Sequence, residues 1–412
     1  MNSIDCTGTI LIVAAMLACA SSAALGQTGG LPASRSIAAS ADPYGKWTNG
    51  PPADANYFPI SVWLQDPKQA GKYKEAGINL YVGLWKGPTE EQLAALKEAG
   101  MPVICDQNEV GLKHKDDKTI IAWMHGDEPD NAQSLGQGKG YGPPIDPNKI
   151  VADYQGIRAA DPTRPVMLNL GQAVAWDAWH GRGVRTNHPE DYPEYVKGCD
   201  IVSFDIYPVA HSHKDVSGKL WFVARGVDRL REWSKGQKAV WNCIECTRIQ
   251  ADDRKATPHQ VRAEVWMSLI HGSQGLIYFV HEWKPKFNEH ALLDDPEMLK
   301  AVTATNKQIH QLAPVLNSPT LAEALAVSCT PAEDPTKKRE TLVDALLKRH
   351  GGVTYVFAVN MRDTVTQGSF AIRDLQGIRK VEVLDEGRTL QAENGKFGDQ
   401  FGAWDVRIYV IR

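Results

Sequence analysis

Cysteine is sparse in this chain, with seven residues in 412, and Cys6 and Cys19 fall in an N-terminal segment expected to be cut away. The remaining Cys105, Cys199, Cys243, Cys246 and Cys329 are an odd, scattered set, which argues against a disulfide framework. Beyond the N-terminal segment no stretch reaches the roughly 18 consecutive apolar residues that a membrane span needs. Charge of one sign is lacking too: 45 Lys and Arg against 49 Asp and Glu leave a formal charge of -4, so no strong field draws nucleic acid or an anionic membrane to the molecule. The first strand-like run is followed by Trp63-Leu64-Gln65-Asp66-Pro67 rather than a glycine-rich phosphate turn, which sets aside an open dinucleotide-binding sheet. A neutral substrate, with no cofactor and no metal, is the expectation.

The apolar run from Ile10 to Ala20, followed by small residues ending Ala24-Leu25-Gly26, has the pattern of an export signal over residues 1–26. The segment before the run departs from that pattern, because it holds Asp5 and no Lys or Arg. Met16-Leu17-Ala18-Cys19 has its Leu one position from where a lipoprotein box needs it. Secretion or periplasmic export is therefore expected, rather than lipid anchoring. Residues 27–55, rich in Gly, Ser, Ala and Pro and without periodicity, read as a linker or a segment draped over the neighbouring domain.

Next, short apolar runs alternate with amphipathic stretches, the pattern of βα units around a parallel sheet. The predicted strands are Phe58 to Leu64, Ile78 to Leu84, Pro102 to Cys105, Ile120 to His125, Pro165 to Leu170, Ile201 to Ile206, Ala239 to Ile244 and Leu276 to Val280. Thr89 to Ala99 reads as a helix, with Glu90 and Glu91 in its first turn and Gly100 after its end; Asn148 to Ala160 and His259 to His271 read similarly. Eight strands over residues 56–318 match the size of a (β/α)8 TIM barrel, an α/β fold. Asp130 to Pro147 and Trp176 to Pro193 are too long for plain connections, and as they follow predicted strands four and five they are candidate walls of a cleft. Over residues 319–412 the pieces Gly352 to Val359, Ser369 to Ile372, Arg379 to Leu384 and Ala403 to Ile411, separated by turn signals, predict a small antiparallel β-sandwich.

Polar residues at the C-terminal ends of barrel strands face the place where such folds carry their chemistry. That rule singles out His125-Gly126-Asp127-Glu128-Pro129 after predicted strand four and Glu245 after predicted strand seven. Glycoside hydrolysis needs one carboxyl that stays protonated to help the leaving oxygen depart and an ionised one facing the anomeric carbon. A carboxylate closing an apolar strand, as Glu245 does, is costly to bury unless paired or functional. For Glu128 the plain alternative is a cap on the turn that follows Pro129.

Glutamates at the ends of strands four and seven resemble the arrangement of the clan A glycoside hydrolases, which include many cellulases, mannanases and β-galactosidases. The resemblance spans about Tyr57 to Ala291. It implies Glu128 as acid/base and Glu245 as nucleophile of a retaining double displacement on a β-linked glycoside or polysaccharide, with the two carboxyls about 5 to 5.5 Å apart. It also implies that Tyr207, in Phe204-Asp205-Ile206-Tyr207-Pro208, hydrogen-bonds the nucleophile and that Trp283, in His281-Glu282-Trp283, floors the sugar subsite. One position departs from the clan. Asp127 stands where an Asn usually precedes the acid/base; aspartate can accept the same sugar hydrogen bond, while like-charge repulsion beside Glu128 raises one of the two pKa values.

His125, Asp106 and Asn169 also lie at predicted strand ends, where hydroxyl recognition and simple solvation are both compatible with the sequence. Among twelve tryptophans, Trp63, Trp85, Trp176, Trp179 and Trp283 fall at or after strand ends and suit stacking on apolar sugar faces, whereas Trp123, Trp241 and Trp266 read as core. Cys243-Ile244-Glu245-Cys246 has C-x-x-C spacing but closes a strand rather than opening a helix, and no second pair exists to complete a four-thiolate zinc site. His211-Ser212-His213 lacks a carboxylate at ligand spacing and reads as loop. Two other classes stay open on the sequence: a non-catalytic carbohydrate-binding protein on a barrel scaffold, and a metal-dependent barrel hydrolase. Sugar, linkage, endo or exo action and oligomeric state are not specified by it.

Overall fold

The computed structural model describes residues 43–249, 253–331 and 342–412. The expected export signal and the first part of the 27–55 segment lie outside the described residues. The N-terminal half and more is a parallel barrel of β1 (Ile60–Trp63), β2 (Leu80–Val82), β3 (Val103–Asp106), β4 (Ile120–Met124), β5 (Val166–Leu170), β6 (Ile201–Phe204), β7 in two pieces (Ala239–Val240 and Asn242–Glu245) and β8 (Leu276–Phe279). The first piece of β7 pairs with β6 through Ile201↔Ala239, the second with β8 through Asn242↔Leu276, and β8 returns to β1 through Ile60↔Leu276. Eight strands therefore close on themselves, as the alternation of apolar runs predicted.

Side chains alternate across the wall as the two-residue period requires. Leu80, Val82, Ile104, Met124, Met167, Trp241, Cys243 and Ile277 fill the interior, while Tyr81, Val103, Trp123, Leu168, Val202, Ile244 and Tyr278 pack against the outer helices. Trp241, between the two pieces of β7, is too large for a neighbouring side chain: a Cβ on Gly275 would lie 2.4 Å from its ring. Tyr44 closes the barrel from the other side, its hydroxyl donating to the Gln274 carbonyl at 3.0 Å and accepting from Trp241 Nε1 at 2.8 Å. Part of the segment read as linker is thus a plug.

The helices are α1 (Ala70–Glu75), α2 (Glu90–Ala99), α3 (Glu109–Lys113), α4 (Pro147–Ala160), α5 (Tyr192–Tyr195), α6 (Phe222–Trp233), α7 (Pro258–Ile270) and α8 (Pro296–Leu316). Thr89 and Thr257 open α2 and α7 with reciprocal capping boxes to Gln92 and Gln260, satisfying backbone donors that have no partner inside the helix. Among the described residues no helix is long and apolar enough to cross a membrane.

The C-terminal strands are β9 (Leu325–Pro331), β10 (Val343–His350), β11 (Val353–Asn360), β12 (Thr366–Ile372), β13 (Ile378–Val383), β14 (Arg388–Glu393), β15 (Lys396–Phe401) and β16 (Val406–Ile411). All neighbours are antiparallel, in the order β9-β12-β15-β14-β13-β16-β11-β10. The halves on either side of the β14–β15 hairpin share only the pair Glu393↔Lys396 and bury a common core that includes Phe370, Phe401, Val356, Val381 and Tyr409. The sheet's other face joins the barrel. Trp266 of α7 stacks on Phe357 of β11 with ring centroids 5.4 Å apart, and His271 stands between Asp228 of α6 (2.9 Å) and Asp344 of β10 (3.2 Å), all three buried.

Candidate active site

At the C-terminal end of the barrel, side chains from β4, β5 and β6 meet. Asp205 follows Ile201 and Ser203 in the inward-facing alternation of β6 and remains partly open to solvent. Its carboxyl lies within hydrogen-bonding reach of Glu128, in the loop after β4. Two carboxyls at that range share a proton, because both cannot ionise side by side. The Tyr207 ring rests on Phe279 at 5.1 Å.

Glu128 is held from three sides. Its backbone has φ of 43°, a left-handed conformation costing a non-glycine residue on the order of 1 kcal/mol, the kind of strain that concentrates at functional sites. Asn131 Nδ2 donates to Glu128 Oε2 at 2.7 Å, while Asn131 Oδ1 accepts from Trp179 Nε1 at 2.9 Å, which fixes which end of the amide faces the carboxyl. Gly171, after β5, leaves the room for this arrangement: a Cβ there would lie 2.9 Å from the Asn131 amide and 3.1 Å from Glu128 Oε1. Asp130, next to the loop's turn, is anchored by the Gly171 N–H at 2.9 Å and the Tyr192 hydroxyl at 2.7 Å.

Asp127 sits at the lip, open to solvent on one side and crowded by protein on the others. Its Oδ1 accepts from Asn169 Nδ2 at 2.9 Å, and Asn169 Oδ1 in turn accepts from Ser203 at 2.6 Å. Burial, followed by the negative charge of Asp205 and Asp127, raises the Glu128 carboxyl well above the ordinary range. Burial raises Asp205 to about 7 and Asp127 to about 6, the Asn169 hydrogen bond opposing the latter. The site therefore retains a proton at neutral pH while holding negative charge beside it, the combination acid/base chemistry requires.

Aromatic side chains surround this mouth. Trp283 and Phe287, after β8, lie 4.9 Å apart and are 50% and 51% exposed. Trp85 after β2 and Tyr141 after β4 are also exposed, at 67% and 76%. Among the described residues these four are the only aromatics in the set of large exposed hydrophobics, and each follows the C-terminal end of a barrel strand.

Several expected residues stand elsewhere. Glu245 is fully buried. Its Oε1 and Oε2 accept the N–H groups of Val209 and Ala210, each at 2.6 Å, and its carboxyl meets Glu264 of α7. It lies beneath the loop after β6, whose N–H groups take both of its oxygens. Both oxygens of the expected nucleophile are thus taken by backbone donors, and the acid that acts most on Glu128 is Asp205. His125 is buried and bonds the Gly198 carbonyl through Nε2 at 2.8 Å. Trp63 is buried inside the barrel. Asn169 is buried and supports Asp127 rather than opening to solvent. Asp106 is exposed at the end of β3, where burial of its surroundings raises its pKa. His211 Nδ1 accepts the His213 N–H at 2.9 Å, and its Nε2 bonds Gln172 at 2.8 Å. Cys243 points into the barrel, 3.8 Å from Asn169 Oδ1, while Cys246 bonds the Phe279 carbonyl.

Asp205, Asn131, Gly171 and Phe287 were not singled out by the sequence. The inward parity of Ile201, Ser203 and Asp205 carried a usable signal for the first. Asn131 and Gly171 carried none, since their role depends on where two loops meet.

No protein-family model matches the sequence, and no curated protein matches it. Solved structures do share its fold. AmyP in complex with maltose superposes with a TM-score of 0.51 at 9% identity, covering 86% of this chain and 96% of that one. A candidate α-galactosidase or melibiase of Bacteroides fragilis gives 0.51 at 8% identity, covering 87% and 80%. A family 30 endoxylanase of Clostridium papyrosolvens gives 0.46 at 12%, covering 90% and 98%. The first two of these superpositions show that the chain shares the fold of those solved structures, a parallel barrel followed by a C-terminal β-domain.

Proposed function

We propose that the protein is a glycoside hydrolase in which Glu128 is the general acid/base and Asp205 the nucleophile. The observation that carries this reading is that Glu128 and Asp205, from the ends of β4 and β6, come within reach of each other at the barrel mouth, with Glu128 held there by Asn131 at 2.7 Å and its carboxyl raised by burial and by the Asp205 charge. Inversion needs room for a water between the carboxyls, at about 6.5 to 9.5 Å, whereas retention works at about 5 to 5.5 Å. A pair already in contact opens to the shorter range with less rearrangement when a sugar enters.

In the first step an Asp205 oxygen attacks the anomeric carbon, the glycosidic C–O bond breaks, and the Glu128 proton passes to the leaving oxygen. In the second, Glu128 takes a proton from water as the water oxygen attacks the anomeric carbon and the Asp205 ester bond breaks. In this reading Asp127 binds a sugar hydroxyl, and Trp283 and Trp85 stack on sugar faces. The substrate is an oligo- or polysaccharide, with β-linkage as the first choice to examine. Export to the periplasm or the medium would bring the enzyme to it.

The test is turnover of chromogenic α- and β-glycosides and polysaccharides by the purified protein, with product anomers followed by NMR. Retention is expected, with Glu128→Gln and Asp205→Asn each losing at least about a thousandfold in kcat. Net inversion overturns the mechanism. Binding of glycan without hydrolysis on any substrate overturns the enzyme in favour of a carbohydrate-binding protein, for which the exposed aromatics are the supporting observation.

A further inference from the structure

Glu245 and Glu264 are both fully buried acids that the proposed reaction does not use. The two oxygens of Glu245 each take one of two consecutive backbone N–H groups, from Val209 and Ala210. Those residues follow directly on Asp205, Tyr207 and Pro208, so the bonds tie down the far end of the turn that carries the candidate nucleophile and its tyrosine. The same rung of the sheet holds the near end. Glu245 pairs in register with Phe279 of β8, and Phe279 supports the Tyr207 ring.

We propose that Glu245 is a positioning residue, which sets the place of Asp205 and Tyr207 by clamping the loop after β6, and that Glu264 completes the clamp by sharing a proton with it. The proposal rests on the glycosidase reading above. A carboxylate suits the task because both of its oxygens accept; the amide of glutamine offers one acceptor and would turn an N–H toward an N–H. Both Glu264 oxygens are buried with no hydrogen-bond partner among the described residues, and a proton on this acid directed at Glu245 would satisfy them. The groups facing Glu245 are Glu264 from α7, backbone N–H groups from the loop after β6 and, on its own strand, the Cys246 thiol. No cation is among them, so a proton between the two acids keeps the buried charge at one rather than two.

The test uses the full-length protein and variants Glu245→Gln, Glu245→Ala, Glu264→Gln and Glu264→Leu. Amide hydrogen exchange at Val209 and Ala210 reads the clamp without reference to activity, and is expected to accelerate by at least about tenfold in Glu245→Ala. Unchanged exchange in a folded Glu245→Ala overturns the clamp. In kinetics, Glu245→Gln is expected to lower kcat about 10- to 100-fold with a smaller change in KM and to move the acid limb of the pH profile, because Asp205 is displaced. Glu264→Leu should lose at least about ten times more kcat than Glu264→Gln, whose amide can still donate to Glu245. Added azide separates positioning from reaction at the anomeric carbon. Azide is expected to restore turnover, as the glycosyl azide, in Asp205→Ala and not in Glu245→Ala. Rescue of Glu245→Ala instead would make Glu245 the nucleophile and overturn the proposal. Failure of both rescues, with exchange accelerated as expected, would count against the glycosidase reading and leave the clamp standing.

Discussion

Replacing Gly171 by alanine probes the support behind Glu128 with a single methyl group. The backbone there has φ of -82° and ψ of -173°, which any residue adopts, so the effect comes from contact alone. The new Cβ would stand 2.9 Å from the Asn131 amide, and ordinary contact begins at 3.4 Å, so Asn131 must withdraw by the difference, 0.5 Å. It is pinned between Glu128 at 2.7 Å and Trp179 at 2.9 Å, and a shift of that size weakens one bond or the other. A hydrogen bond between neutral groups contributes about 0.5 to 1.5 kcal/mol, which corresponds to about 2- to 10-fold in rate. We expect kcat/KM to fall by that factor, chiefly through kcat, with the thermal midpoint lowered by only a few degrees. Asn131→Ala should cause a similar loss, and the double variant should lose little more, because both changes act on one contact. Wild-type kcat/KM in Gly171→Ala, or losses that multiply in the double variant, would refute the reasoning.

Other consequences are equally measurable. Asp205 must be ionised and Glu128 protonated, so kcat/KM should rise with pH through about 7 and fall only at alkaline pH, both limbs belonging to the pair; an acid limb at the ordinary carboxylate value would contradict the shared proton. Trp283→Ala should raise KM for oligosaccharides by about tenfold, one stacking contact's worth, and leave small activated glycosides less affected; equal effects on both would exclude a stacking role. Burial raises Glu245 to about 7 and Glu264 well above the usual range. Acids raised on folding contribute stability that is present at low pH and lost as pH climbs through the folded value. The thermal midpoint should therefore drop as pH rises from about 4.5, the ordinary carboxyl value, through about 7, and less so in Glu264→Gln; a flat wild-type profile would argue against the pair. Phe357→Ala removes the stack on Trp266 between barrel and sheet and should cost about 3 to 5 kcal/mol by denaturant unfolding, a loss under about 1 kcal/mol showing that the sheet is not bound there.

The barrel was legible because its strands are buried on both faces and its helices on one. The apolar runs ending at Leu170 and Ile244 and the capped helix after Thr89 could take few other forms. Strand ends were less clear: β2 is Leu80–Val82 within the predicted Ile78 to Leu84, and β7 breaks at Trp241. That break follows from fitting an indole into the closed interior opposite Gly275, a matter of volume across strands. Glu128 was singled out because it follows the end of a strand. Glu245 has the same local signal, and its buried end was decided by Val209, Ala210 and Glu264, which come from another loop and a helix.

The chain by itself determined the alternation of strands and helices, the count of eight, and therefore which end of the barrel collects loops and polar residues, since these depend on periodicity and on short-range capping. Which carboxyls meet was decided only by tertiary structure. Asp205 lies 77 positions beyond Glu128 in the chain, and their shared proton exists because barrel closure places the ends of β4 and β6 at one mouth. An acid's charge state depends on the dielectric and the partners around it rather than on its neighbours in sequence. The same burial that raises the Glu128 carboxyl also closes Glu245 off from solvent, and no local pattern distinguishes the two.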